Sequence, residues 1–273
     1  MPTSWPNSKK CSILDPVRAG AMGALIFVGT FIHGGAHAKA ALAPSLPRVS
    51  EATLQRELHS KRSHSFASLL KNWESQYGVQ AVEPLIKLAS QKKNPDSDRY
   101  IALMGAAKLG GREIAPRLLV FLKDSSWMLR SGALRALSAL NHPPSSRAVL
   151  PLLQDPALVV RSEAVDAVDR LHPPGSEEAL LRALESRANY HNGKAQWLPQ
   201  KALKALARFK NPAHAPKLLP LLNHSDDESL LRETVLALET MTGKKAGRSP
   251  ATANLALLVS EWKGRLSESP SKP

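Results

Sequence analysis

The sequence predicts an all-α fold, an α-α superhelix in which about five to six helix pairs stack side by side. Three observations predict it. The first is a phrase repeated along the chain, an Asp, five residues, then an Arg opening an Ala/Leu-rich stretch, at Asp124 to Arg130, Asp155 to Arg161 and Asp226 to Arg232. The first two copies are 31 residues apart and the third lies 71 further on, which fits two more periods and a short insertion. The second is a column of small residues. Counting from Arg99, Arg130, Arg161, Pro199 and Leu231, the third residue on is Ala102, Ala133, Ala164, Ala202 and Thr234, and a second small column further on is Ala106, Ala136, Ala167, Ala205 and Ala237. Small side chains there let the first helices of neighbouring pairs approach closely, while Leu109, Leu140, Leu171, Phe209 and Met241 fill the space at their ends. The third is a set of helix breakers at a fixed phase, Gly110-Gly111, Pro143-Pro144, Pro173-Pro174-Gly175, Asn211-Pro212 and Gly243, which divides each repeat into two helices.

Residues 1–38 have the layout of a secretory signal peptide. Lys9, Lys10 and Arg18 form a positive flank, Ala19 to Ile32 is an uncharged run of 14 residues, and Ala36-His37-Ala38 supplies the small-residue pattern for cleavage after Ala38. A membrane span takes about 18 or more residues, so the run is short for one, and an uncleaved N-terminal anchor is the alternative. The expected location is periplasmic or secreted. Cys11, the only cysteine, lies upstream of the run and leaves with it, so the mature chain has no disulfides and no thiolate metal ligands.

The chain carries 37 basic and 23 acidic residues; without the first 38 residues the balance is 34 to 22, a net charge of +12. Anionic partners are favoured: an acidic protein first, an anionic envelope polymer or lipid next, nucleic acid less. Scattered cations serving solubility are the alternative reading.

Residues 39–64 read as a polar lead-in with Pro44 and Pro47, although Ser50 is placed to cap a short helix from Glu51. The solenoid is expected over residues 65–264, most clearly over 95–242. Phe66, Leu69, Leu70, Trp73 and Tyr77 share one helical face that Gly78 ends, and Val82, Leu85, Ile86 and Ala89 follow on a second helix, a worn pair suited to capping the stack. The later second helices carry Leu118 and Leu122, Val149 and Leu153, Leu180 and Leu184, Leu218 and Leu222, and Leu258 and Trp262. Pro151 and Pro220 fall inside them and predict kinks or late starts. Between the third and fourth copies, residues 187–197 add about seven residues, expected as a loop on one face of the solenoid. Residues 265–273 are too polar to pack and read as a disordered tail.

Charged residues that recur with the period look functional, but their phase gives them a structural role. Each Asp stands at the turn entering a helix, where it caps free amides, and each Arg is within reach of the Asp of an adjacent repeat, forming a ladder. His142-Pro143-Pro144 and His172-Pro173-Pro174, 30 residues apart, would set two imidazoles along one edge. No third ligand recurs in phase, so turn chemistry explains them and no metal is assigned. There is no Gly-rich phosphate loop, HExxH or GxSxG. No catalytic residue and no cofactor are assigned, and the protein is not read as an enzyme.

The run Leu153-Gln154-Asp155-Pro156-Ala157-Leu158-Val159-Val160-Arg161 with Ala164, Ala167 and Leu171, and its neighbour from Leu122 to Leu140, resembles HEAT repeats, an armadillo-like helical architecture, in the short bacterial type grouped with phycobilisome lyases. The resemblance covers residues 95–242. It departs at the fourth copy, which has no Asp–Arg pair, and at the fifth, whose pair is one residue out of phase with its Ala column. The resemblance implies a non-catalytic scaffold or adaptor, here one that is exported and binds an acidic protein or other anionic envelope component. Two alternatives come with it: a basic DNA-binding protein similar to alkylpurine DNA glycosylases, and a lyase or chaperone-like factor for a cofactor-bearing client. The candidate partner-binding residues are the second-helix cations Arg112, Arg117, Lys123, Arg147, Arg182 and Lys217, joined by Tyr190, His191, Lys194 and Trp197 of the insertion. First helices carry a rival set, Arg135, Arg170, Lys201, Lys204, Arg208 and Lys210.

Overall fold

The chain builds helix pairs because its small and large apolar residues recur at helical spacing between fixed breakers. A computed structural model describes residues 47–60, 65–224, 226–245 and 254–267. The proposed signal segment with its cleavage site, the start of the lead-in and the end of the tail lie outside these residues. The first helices of the pairs are α2 (Phe66–Gln76), α4 (Asp96–Gly110), α6 (Trp127–Leu140), α8 (Leu158–Leu171), α10 (Trp197–Ala207) and α11 (Glu228–Thr242). From α4 onward each packs directly on the next, in chain order. Their partners are α3 (Val82–Ser90), α5 (Ala115–Leu118) with the 3₁₀ segment Leu119–Lys123, α7 (Pro143–Ser146) with the 3₁₀ segment Arg147–Gln154, α9 (Ser176–Glu185), the 3₁₀ segment Pro212–Asn223, and α12 (Leu255–Ser267). The result is a two-layer solenoid of six pairs among the described residues.

The small-residue column is the seam between pairs. Ala102, Ala133, Ala164, Ala202 and Thr234 are all 0% exposed. The single hydroxyl in that column is satisfied locally, since Thr234 Oγ1 donates to the carbonyl of Leu230 at 2.8 Å. In α4 the position six beyond Arg99 is Gly105, and a Cβ there would stand 2.9 Å from Cζ3 of Trp73 and 3.3 Å from Cδ1 of Leu85. Trp73 has no room to yield, because it is fully buried and its indole N–H donates to Glu57 at 2.9 Å. Gly105→Ala should therefore destabilise the chain in urea unfolding. Overpacking costs about 1–3 kcal/mol, more than the helix propensity of about 1 kcal/mol that alanine returns.

The second helices differ from expectation in a specific way. Where a kink was expected at Pro151 and Pro220, whole segments tighten into 3₁₀ geometry, Arg147–Gln154 around Pro151 and Pro212–Asn223 around Pro216 and Pro220. Proline removes the amide that an i→i−4 bond needs, and the chain closes on the shorter i→i+3 pattern instead. Residues three apart then align on one side, so Leu218 and Leu221 are both buried while Lys217 and Pro220 both face out.

Every first helix from α4 to α11 is followed by a left-handed residue, at Gly111, Asn141, His172, Lys210 and Gly243. This column corrects the expected pairing of imidazoles. His172 is the left-handed residue of its turn, whereas in the preceding turn that place belongs to Asn141 and His142 comes one later. Their rings have different surroundings: His142 Nδ1 lies 2.9 Å from Ser145 Oγ, and His172 packs edge-on against Phe209 with centroids 5.1 Å apart.

Both ends of the solenoid carry more structure than the sequence reading gave them. Glu51–Ser60, assigned above to a polar lead-in, forms helix α1, with Leu54 and Leu58 buried. Ser50 caps it as expected, accepting from the amide of Thr53 at 3.1 Å. At the other end α12 continues to Ser267, inside the stretch read as tail, because Leu266 packs against the core.

Candidate partner-binding groove

The periodic Asp and Arg residues hold the stack together, as their phase implies. Arg99 pairs with Asp124. Arg130 reaches Asp155 through two parallel bonds of 2.7 and 2.8 Å and also donates to the carbonyl of Asp124 at 2.9 Å. Each Asp in turn accepts the amide two residues on, Ser126 or Ala157, both at 2.9 Å; these are the N-cap residues of α6 and α8, so one carboxylate fixes the turn into a helix and grips its neighbour. Contrary to the expectation from sequence, neither carboxylate caps a helix amide among the described residues. At the fourth repeat no Asp is present, and Asn189 takes the place: Arg161 donates to its Oδ1 at 2.7 Å and to the carbonyl of Ala188 at 2.8 Å. The chemical difference shows in the guanidinium groups. The bond to Asp155 raises Arg130 above the usual arginine value, whereas burial beside a neutral amide lowers Arg161. Gln55 on α1 extends the ladder to the N-terminal end by donating to Asn94 at 3.1 Å. In the fifth copy Asp227, two places beyond the phase of the column, caps Leu230 at 3.0 Å and accepts the amide of Ala195 at 2.8 Å. Arg232 bonds instead to Glu228 on its own helix.

The remaining cations divide by face. On the first helices, α8 presents Glu163, Asp166 and Asp169, and these hold cations of both neighbours: Arg135 of α6 at 2.9 Å, Lys201 of α10 at 2.6 Å, and Arg208 just beyond α10 at 2.8 Å. Lys204 pairs with Glu233 of α11 at 3.3 Å. The first-helix set is thus mostly neutralised within the stack, with Arg170 and Lys210 outside these pairs. On the second-helix side Arg117 pairs with Glu83 at 2.6 Å and Arg112 donates to the carbonyl of Leu140 at 3.3 Å. Further along, Lys123, Arg147, Arg182, Arg187 and Lys217 are exposed, and none of them makes an ion pair among the described residues.

Four of these five unpaired cations line two adjoining grooves. Arg147 and Arg182 border one of about 330 Å³ between the segment Arg147–Gln154 and α9, over Leu150, Pro151 and Ala179. Arg187 and Lys217 border the next, of about 520 Å³, between α9 and the segment Pro212–Asn223, over Leu181, Leu184, Pro220 and Leu221. A third, of about 720 Å³, opens between α11 and α12 and includes Lys263, but there Arg232 is already held by Glu228.

The insertion walls the second groove. Its Asn192-Gly193 pair is left-handed at both residues, φ 50° and 76°, and turns strand β1 (Tyr190–His191) back onto β2 (Lys194–Ala195) as a two-residue hairpin. The hairpin is fixed on both sides. Toward the third repeat, Tyr190 Oη donates to the carbonyl of Leu184 at 2.7 Å and Asn189 takes its place in the ladder. Toward the fifth, the Tyr190 ring stacks on His224 with centroids 5.5 Å apart and planes 14° off parallel, and Ala195 bonds to Asp227. Burial, with the Asp227 carboxylate nearby, pushes the Tyr190 phenol up to about 12. Its contribution to stability is therefore complete below the unfolded tyrosine value of about 10 and is lost as pH rises toward 12. A difference titration of wild type against Tyr190→Phe should show no Tyr190 phenolate signal below pH of about 11.

The structure thus brings Arg147, Arg182, Tyr190 and Lys217 of the candidate set to one pair of grooves. Lys123 stays exposed toward the N-terminal end, and Arg112 and Arg117 are engaged within the stack. His191 and Lys194 sit in the hairpin strands, exposed, and Trp197 is the first residue of α10, 57% exposed; none of the three lines either groove. Arg187 and His224 belong to the site and were not singled out from sequence. Among the described residues no group of three or more His, Cys, Asp or Glu is placed to hold a metal, and no helix is long and apolar enough to cross a membrane.

Residues 82–169, from α3 to near the end of α8, match the family model for HEAT repeats. No curated protein matches the chain. HEAT repeats commonly mediate protein–protein contacts and typically lack catalysis, offering a rigid surface whose units touch only their neighbours. The matched window contains Ala102, Ala133 and Ala164 of the buried column and the two complete Asp–Arg rungs, and over that window the chain is built of HEAT repeats.

Proposed function

We propose that this protein is an exported, non-catalytic scaffold or adaptor of the cell envelope, which binds an acidic protein, or another anionic envelope component, along its second-helix grooves. The segregation of charge carries this reading: cations on the first-helix face are mostly consumed by inter-repeat ion pairs, while Arg147, Arg182, Arg187 and Lys217 face solvent unpaired over an apolar floor. A desolvated partner carboxylate gains most where the cation is not already paired, and Glu185, which also lines the larger groove, makes no ion pair with Arg187 or Lys217 among the described residues. The preformed surface adds little ordering cost on binding. Export rests on the N-terminal segment, with its basic flank, apolar run and Ala36-His37-Ala38 pattern.

Cell fractionation combined with a binding comparison tests the proposal. The chain should be recovered outside the cytoplasm, shortened by the first 38 residues, and should bind polyglutamate with an affinity that weakens steeply as salt rises. A full-length cytoplasmic chain that prefers duplex DNA to polyglutamate would replace this reading with the DNA-binding one.

A further inference from the structure

The two grooves are consecutive, and one helix separates them. Arg182 borders the first, and its chain neighbour Leu181 lines the second, so α9 is a ridge with an apolar trough on either side and a guanidinium on its crest. Packed neighbours in such a stack are about 8–10 Å apart, which sets the step from one trough to the next. An extended polyproline II segment rises about 3.1 Å per residue with three residues per turn, so side chains three apart point the same way about 9 Å apart. A β-strand puts its same-side residues only about 7 Å apart. The wall of the larger trough agrees: half-buried Tyr190 and His224 form a stacked aromatic shelf, the type of surface on which proline-rich segments dock.

Resting on the acidic-partner reading above, we infer that the partner is recognised through an extended segment in polyproline II conformation, with two apolar side chains three residues apart seated in the two troughs and a carboxylate between them on Arg182. A second carboxylate, beyond the apolar residue in the larger trough, meets Lys217 and Arg187 at its rim. The hairpin makes this trough distinct from the others, because its Tyr190 and Gly193 form part of the lining.

Calorimetric titration of the full chain with synthetic acidic peptides of equal charge carrying two leucines tests the inference. The leucines are spaced by three residues in a Pro/Glu background, by two in a Thr/Glu background and by seven in an Ala/Glu background, which permit a polyproline II turn, a strand and two helical turns respectively. The three-residue spacing should bind about 10-fold tighter than the two-residue spacing and tighter than a leucine-free peptide of equal charge. The neutral change Pro220→Asn should remove that advantage while leaving the leucine-free peptide unaffected, and Lys217→Glu should weaken every peptide. Equal affinity at all spacings, leucine-free included, overturns the inference and leaves the acidic-partner reading standing. Tightest binding at the seven-residue spacing overturns it in favour of a helical segment. If no acidic peptide binds even at low salt, both fall.

Discussion

Replacing Arg130 by Met should cost about 3–5 kcal/mol of stability, the range for removing one partner of a buried ion pair. Arg130 and Asp155 have side chains only 13% and 4% exposed, and the guanidinium supplies both bonds that reach that carboxylate from the neighbouring repeat. Without it Asp155 keeps the amide of Ala157 and the more distant charge of Arg161 but loses the counter-charge bonded to it. Because each pair of a solenoid touches only its neighbours, the damage is confined to one junction, and the urea transition should broaden or split as well as shift. Asp155→Asn should be milder, about 1–2 kcal/mol, since the stack already contains a working rung of that type in Arg161 and Asn189. Equilibrium unfolding followed by circular dichroism checks both. An Arg130→Met protein within about 1 kcal/mol of wild type, with an unchanged transition, would show that the ladder does not hold the repeats together.

The second large effect concerns binding. Reversing Arg147, Arg182 and Lys217 to Glu should lower affinity for polyglutamate by about two orders of magnitude at moderate salt. Each reversal turns an attraction of up to about 1 kcal/mol into a comparable repulsion, and about 2.8 kcal/mol corresponds to 100-fold. Thermal stability should be little changed, because these side chains make no ion pairs within the stack. The matched control reverses Arg135, Lys201 and Arg208, altering net charge by the same amount on the other face. That protein should keep its affinity within a few-fold but melt earlier, since three inter-repeat ion pairs with Glu163, Asp166 and Asp169 become repulsions. Equal losses of affinity in both triples would mean that overall charge, and not the groove, attracts the partner.

Much of the scaffold was legible because it repeats. The alanine column, the breakers and the Asp–Arg rungs each occur at the same phase several times, and periodic agreement among independent signals is what a stack of identical units produces. What escaped the sequence was unique to one place. Asn189 lies inside the insertion, 28 residues beyond Arg161 where the complete rungs span 25, and so falls out of any fixed count, although it needs only one side-chain oxygen to serve as the fourth rung. The hairpin had a signal, Asn192-Gly193 between short flanks, but two-residue strands are too brief for alternation to reveal. Asp226 matched the repeated phrase by spacing, while Asp227 is the residue that caps the helix and meets the hairpin. His142 and His172 matched by tripeptide, while the left-handed turn residue sets the true register one step away.

The candidate groove was half legible. Composition gave the positive balance and helix phase gave the second-helix cations, but pairing between repeats depends on which side chains meet across α6, α8 and α10. Only that geometry separates neutralised Arg135, Lys201 and Arg208 from unpaired Arg147, Arg182 and Lys217. Arg187 and His224 were indistinct because nothing in their local sequence sets them apart. They enter the site through the hairpin and the segment Pro212–Asn223, two elements brought together across the stack.

Residue-level protection of Arg and Lys side chains from chemical modification, measured by mass spectrometry with and without bound polyglutamate, tests the division of faces most directly. Arg147, Arg182, Arg187 and Lys217 should lose reactivity together, while exposed cations elsewhere, Lys194 and Lys210 among them, stay as reactive as in the free chain. Protection spread evenly over all exposed cations, or concentrated on the first-helix face, would contradict the account.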